Sequence, residues 1–85
     1  MNDVPYKTLR FEAGEIPDGL RRDHRLKKGT RGDLHVVRGT VVFVDAQGAR
    51  TTLREGEHMP IESEAVHHLE DTADCSIEIR FFRDV

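Results

Sequence analysis

The sequence predicts an antiparallel all-β fold closed into a small barrel, and three observations carry that prediction. Amphipathic helical periodicity is almost absent. Short runs of β-branched and aromatic residues recur instead, punctuated by Gly, Pro or Asp turns every eight to twelve residues or so. Together they make about seven or eight short strands in a chain of 85 residues. So short a chain cannot leave many strand edges open, which favours a closed barrel.

The first strand is expected over Tyr6 to Phe11, with Leu9 and Phe11 on one face and residues 1–5 loose ahead of it. Ala13 to Gly19 is turn-rich, because Pro17-Asp18-Gly19 carries turn chemistry at consecutive positions. Leu20 to Leu26 is extended, highly charged, and places His24 near its middle; Lys28 to Gly32 is the next turn. Asp33 to Val44 has the pattern of a hairpin, with two β-branched runs flanking Arg38-Gly39, where glycine supplies positive φ. Asp45 to Gly48 turns again, and Ala49 to Leu53 returns as a strand. After a turn at Arg54 to Glu57, His58 to Ile61 forms a short strand whose Pro60 marks an edge or bulge. Ala65 to Leu69 is a strand carrying adjacent histidines, and Glu70 to Asp74 an acidic turn. Cys75 to Phe82 closes the pattern: Cys75, Ile77, Ile79 and Phe81 share one apolar face, and Ser76, Glu78 and Arg80 a polar one.

This length makes one domain over residues 1–85. Its core is thin, so a bound metal or a dimer partner would add noticeably to stability. One cysteine excludes an internal disulfide and fits a reducing compartment; its place on the apolar face makes it a structural thiol. No apolar run approaches the roughly 20 residues that span a membrane, and no signal segment opens the chain, so a cytoplasmic location is expected. Thirteen basic and sixteen acidic residues give a net charge of −3. The basic stretch Arg21 to Lys28 is interrupted by Asp23, and aromatic content is only 6%, so nucleic-acid binding is not expected. That stretch reads as a solvated face around a pocket entrance.

Histidine and carboxylate side chains are the candidates for chemistry, as imidazole and oxygen donors to a divalent transition ion. His24 and His67 are far apart in sequence, and a closed barrel can join them. Glu62 lies on the approach to His67. His67 and His68 are adjacent in a strand, so only one of them faces inward. His35 and His58 read more simply as packed or exposed residues. Other routes to catalysis are thin. Ser63 lies between the carboxylates Glu62 and Glu64, which disfavour an alkoxide, and Gly29 and Gly32 lack the helix a phosphate loop needs.

Taken together, Ile16-Pro17, Gly19-Leu20, His24 with Lys28-Gly29-Thr30, Leu34 to Gly39, Pro60-Ile61-Glu62 with Ala65-Val66-His67, and Ile77 to Phe82 form an ordered pattern. It resembles a small cupin-like family related to tellurite resistance. That family occurs as free-standing short proteins and as the N-terminal domain of the tellurite-resistance protein B methyltransferase. The resemblance implies a cupin-like (jelly-roll) barrel with a metal pocket, in which His24, His67 and Glu62 stand at the family's histidine and glutamate positions. The metal would be zinc, iron, manganese or nickel. Arg31 stands where the family often has tryptophan, which would alter the pocket entrance. Ser63 stands where it often has proline, which would loosen the loop that aims His67. The His-x-His pair of the full cupin signature is absent, so a third protein ligand is unassigned, with His35 or His58 the remaining imidazoles.

The function expected is binding of a small anion or other small molecule at that metal, in tellurite or a related stress response, with Arg22 or Arg25 helping to attract an anion. The alternative is a non-catalytic module that forms a homodimer or docks a methyltransferase. A metal-dependent oxygenase would rest on fold-level analogy alone.

Overall fold

A computed structural model describes residues 4–83. The expectation of a loose segment at residues 1–5 falls largely outside them; Val4 is 77% exposed and precedes the first strand. The described residues form seven strands: β1 (Lys7–Phe11), β2 (Thr30–Arg38), β3 (Thr40–Val44), β4 (Arg50–Arg54), β5 (His58–Ile61), β6 (His68–Glu70) and β7 (Ser76–Arg83). A single 3-10 turn, Asp18–Leu20, stands where Pro17-Asp18-Gly19 predicts a turn.

All pairings between these strands are antiparallel, in two sheets ordered β1-β7-β2-β5 and β4-β3-β6. Pro60 lies in β5, at an edge of the larger sheet, where a residue without an N–H costs least. The sheets face each other across a core built largely by alternation. Leu34, Val36, Ile61, Ile77 and Ile79 come from one side, and Val41, Phe43, Leu53 and Leu69 from the other. Cys75 is fully buried with its Sγ 3.5 Å from the Thr72 carbonyl, and burial pushes its thiol pKa up.

The expected hairpin around Arg38-Gly39 is not formed. β2 pairs with β5 and β7, and β3 with β4 and β6, so the two runs lie in opposite sheets. Their inward residues explain why: Leu34 and Val36 meet Val41 and Phe43 across the core, which side-by-side pairing would prevent. Gly39 does take positive φ, at 76°, but it serves a crossing between sheets. The tight hairpin is the next one, β3 to β4, where Val44 pairs with Arg50 around Asp45 to Gly48. The turn expected at Lys28 to Gly32 is also shorter, since β2 already starts at Thr30. The strand expected from Ala65 to Leu69 is reduced to β6, with His67 just ahead of it.

The extended segment His24 to Leu26 closes one side of the barrel. His24 pairs antiparallel with His67, which precedes β6, and Leu26 pairs parallel with Ser63, which follows β5. It thereby joins the end of one sheet to the end of the other.

Candidate functional site

The site begins with that backbone pairing. His24 N–H donates to the His67 carbonyl at 3.0 Å, and His67 N–H to the His24 carbonyl at 2.9 Å. Two residues that exchange both backbone bonds carry their side chains on the same face. The two rings therefore meet, with centroids 4.2 Å apart in an edge-on arrangement. Phe43 stacks on His67 at 5.4 Å and fixes its plane.

Both imidazoles border an interior cavity of about 30 Å³, room for one or two water-sized groups, walled by Leu34, Phe43, Ile61, Leu69 and Ile79. Leu20, His24, Ile79 and Phe81 also line an open apolar groove of about 410 Å³. The groove and the cavity thus share these four residues, His24 among them.

The hydrogen bonds define which ring nitrogens are available. His67 Nδ1–H donates to the Ala65 carbonyl at 2.9 Å, and His24 Nδ1–H to the Arg22 carbonyl at 3.3 Å. In each ring Nε2 is left with its lone pair, the tautomer a metal-binding imidazole adopts when its other nitrogen is held by a carbonyl. Burial is the main cause that lowers the His67 pKa, reinforced by His24 and His68 and opposed by the Ala65 bond, so the ring is neutral at pH 7. Two imidazole donors at an apolar cavity fit a divalent transition ion, with remaining positions open to water or a small ligand.

Glu62 is exposed on the loop after β5 and lines a second groove, of about 290 Å³, that His67 also borders. His24, Glu62 and His67 do not form one set of mutually close donor atoms; among the described residues only Asp33, His35 and His58 do so. His35 and His58 lie on the outer face of the larger sheet, away from the cavity, so neither supplies its third ligand. No sequence motif points to Asp33, although Asp33-Leu34-His35 in a strand puts both polar residues on one side. Arg31 also faces outward, its guanidinium 4.8 Å from the Phe82 ring centre. Arg22 and Arg25 flank His24 as exposed cations. The Ser63 hydroxyl donates to the Thr30 carbonyl, which ties its loop to β2.

His68 faces outward, as adjacency to His67 requires. Its Nε2–H donates to Glu70 at 2.8 Å and its Nδ1–H to Asp23 at 3.0 Å, and these carboxylates, Glu70 first, raise its pKa. The link ties the segment bearing His24 to β6.

The TehB-like domain model matches residues 7–79. The chain belongs to the TehB-like domain family. The resemblance read from the sequence is thereby borne out. Among solved structures, TehB from Haemophilus influenzae superposes with a TM-score of 0.85 at 24% identity, covering 98% of this chain and 32% of that one. A protein from E. coli strain K12 gives 0.84 at 20% identity, covering 99% and 93%. A de novo designed double-stranded β-helix gives 0.53 at 23% identity, covering 92% and 96%. This TehB-like chain therefore has the cupin-like, all-β architecture expected, and it spans about a third of the H. influenzae TehB chain. No curated protein matches it. No helix among the described residues is long and apolar enough to cross a membrane.

Proposed function

We propose that residues 1–85 form one cupin-like domain that binds a small anion or other small ligand at a divalent transition ion. His24 and His67 are the imidazole donors, and Glu62 is the carboxylate that closes over them from its loop. The observation that carries this reading is the His24–His67 pair, whose reciprocal backbone bonds hold two rings 4.2 Å apart at one cavity with each Nδ1 turned to a carbonyl. The ion, when bound, would supply Lewis acidity to a ligand entering from the apolar groove. Arg22 and Arg25, exposed beside His24, attract an anion to that entrance. Membership of the TehB-like family supports a role in tellurite or a related stress response.

Elemental analysis of tag-free protein beside His24→Ala, His67→Ala and Glu62→Gln tests the assignment. Loss of one metal equivalent in either histidine variant, and a smaller loss in Glu62→Gln, is the expected result. Metal content unchanged in folded His24→Ala overturns it. A second reading, a non-catalytic module that forms a homodimer or docks a methyltransferase, draws on the match covering only 32% of H. influenzae TehB. A chelator separates the two, since removing a bound ion lowers the Tm of a metal-dependent barrel and leaves that of a metal-free module unchanged.

A further inference from the structure

The outer face of the larger sheet carries a second group of donors that the interior pocket does not use. Asp33 and His35 stand two apart on β2, alternating with the inward-facing Leu34 and Val36, and so point outward together. His58, on the β5 edge, is directly opposite His35 in register. Its ring stacks on that of His35, with centroids 5.1 Å apart and planes 14° from parallel. The Asp33 carboxylate lies between them: His58 Nδ1–H donates to Oδ1 at 2.9 Å, and His35 Nε2 lies 2.9 Å from Oδ2. One donor atom from each of the three residues lies within 4.8 Å of the other two.

From this arrangement we infer a surface site for a divalent ion of the zinc class, held by Asp33, His35 and His58. The N₂O donor set is the one such ions accept, and the two N···O separations of 2.9 Å are near the edge of about 3.3 Å in a tetrahedral shell with bonds of 2.0–2.1 Å. Binding needs no rearrangement of the backbone. A change of tautomer, moving the ring proton to the other nitrogen, frees His35 Nε2 and His58 Nδ1 as lone-pair donors. Strands rather than loops hold all three residues, so the geometry is formed before the ion arrives. The next residue along the row, Glu78, is opposite His35 and is occupied by Arg80 Nε at 2.9 Å, so it is not a fourth ligand. The remaining position faces solvent and takes water.

The test is a Zn²⁺ titration of metal-free protein, read by long-range ¹H–¹⁵N spectra that resolve the imidazole rings. The expected result is that His35 Nε2 and His58 Nδ1 shift together and saturate at one equivalent. Asp33→Asn should weaken that step by more than about tenfold, the size even outer-shell changes cost. His58→Gln, at an exposed edge position, should abolish it while the other rings keep their folded positions. Rings of His35 and His58 that stay unmoved up to millimolar Zn²⁺ overturn the site. So does a shift of equal affinity in Asp33→Asn, which would leave a carboxylate resting beside two imidazoles and nothing more. His24 and His67 report separately in the same spectra, so failure of the interior pocket and failure of this site are read independently.

Discussion

A Cβ on Gly39 would collide with the carbonyl oxygen of Asp74. That approach is backbone against backbone, at a residue whose φ is 76°, so neither strain nor clash can be relieved by turning a side chain. Gly39→Ala should therefore cost more than about 3 kcal/mol and, in a chain this small, a large part of the folded population. Urea unfolding monitored by circular dichroism measures it. A loss below about 1 kcal/mol would show that the crossing between sheets can move.

The two adjacent histidines should leave opposite marks on stability as pH changes. His68 has a raised folded pKa, so its contribution is complete below the unfolded value of 6.5 and is lost as pH rises through the folded one. His67 has a lowered folded pKa, so stability is complete above 6.5 and falls as pH drops toward the folded value. His68→Gln should thus lower the urea midpoint on the acid side of neutrality and converge with the parent at alkaline pH. A midpoint difference that stays constant from roughly pH 5 to 9 would contradict the linkage to Glu70 and Asp23.

Ser63→Ala removes the hydroxyl that binds the Thr30 carbonyl. The expected loss is about 1 kcal/mol, with faster hydrogen exchange at the Glu64 amide, which donates to the Leu26 carbonyl at 2.9 Å. Unchanged exchange at Glu64 would mean that the loop is held without Ser63.

Ile77→Ala empties a fully buried position at the centre of the core. Such a truncation costs about 2–5 kcal/mol, and thermal unfolding should register it as a drop of many degrees. A variant within about 1 kcal/mol of the parent would mean that the two sheets close over the gap.

Much of the architecture is legible in the sequence because alternation and turn chemistry are local signals. The period-2 pattern from Cys75 to Phe82 identifies β7 and its buried face, Pro60 marks the edge strand, and adjacency separates His67 from His68. The crossing at Gly39 was not legible as such, since positive φ in a glycine serves a hairpin and a close backbone approach equally well. Nor does local pattern show that His58 lies across from His35, or that His24 pairs with His67. Those contacts join residues 23 and 43 positions apart (58 − 35 and 67 − 24), and only the closed barrel brings them together.

The strand order also sets a sequence of events in time. β7 lies between β1 and β2, so the N-terminal strand has no neighbour until every other strand has been made. During synthesis on the ribosome Leu9 and Phe11 wait without their partners Ile79 and Ile77. Assembly must therefore follow release of the whole barrel sequence from the exit tunnel, and it should be slow for so short a chain. The nascent chain passes through an interval in which its first strand is open to misassociation.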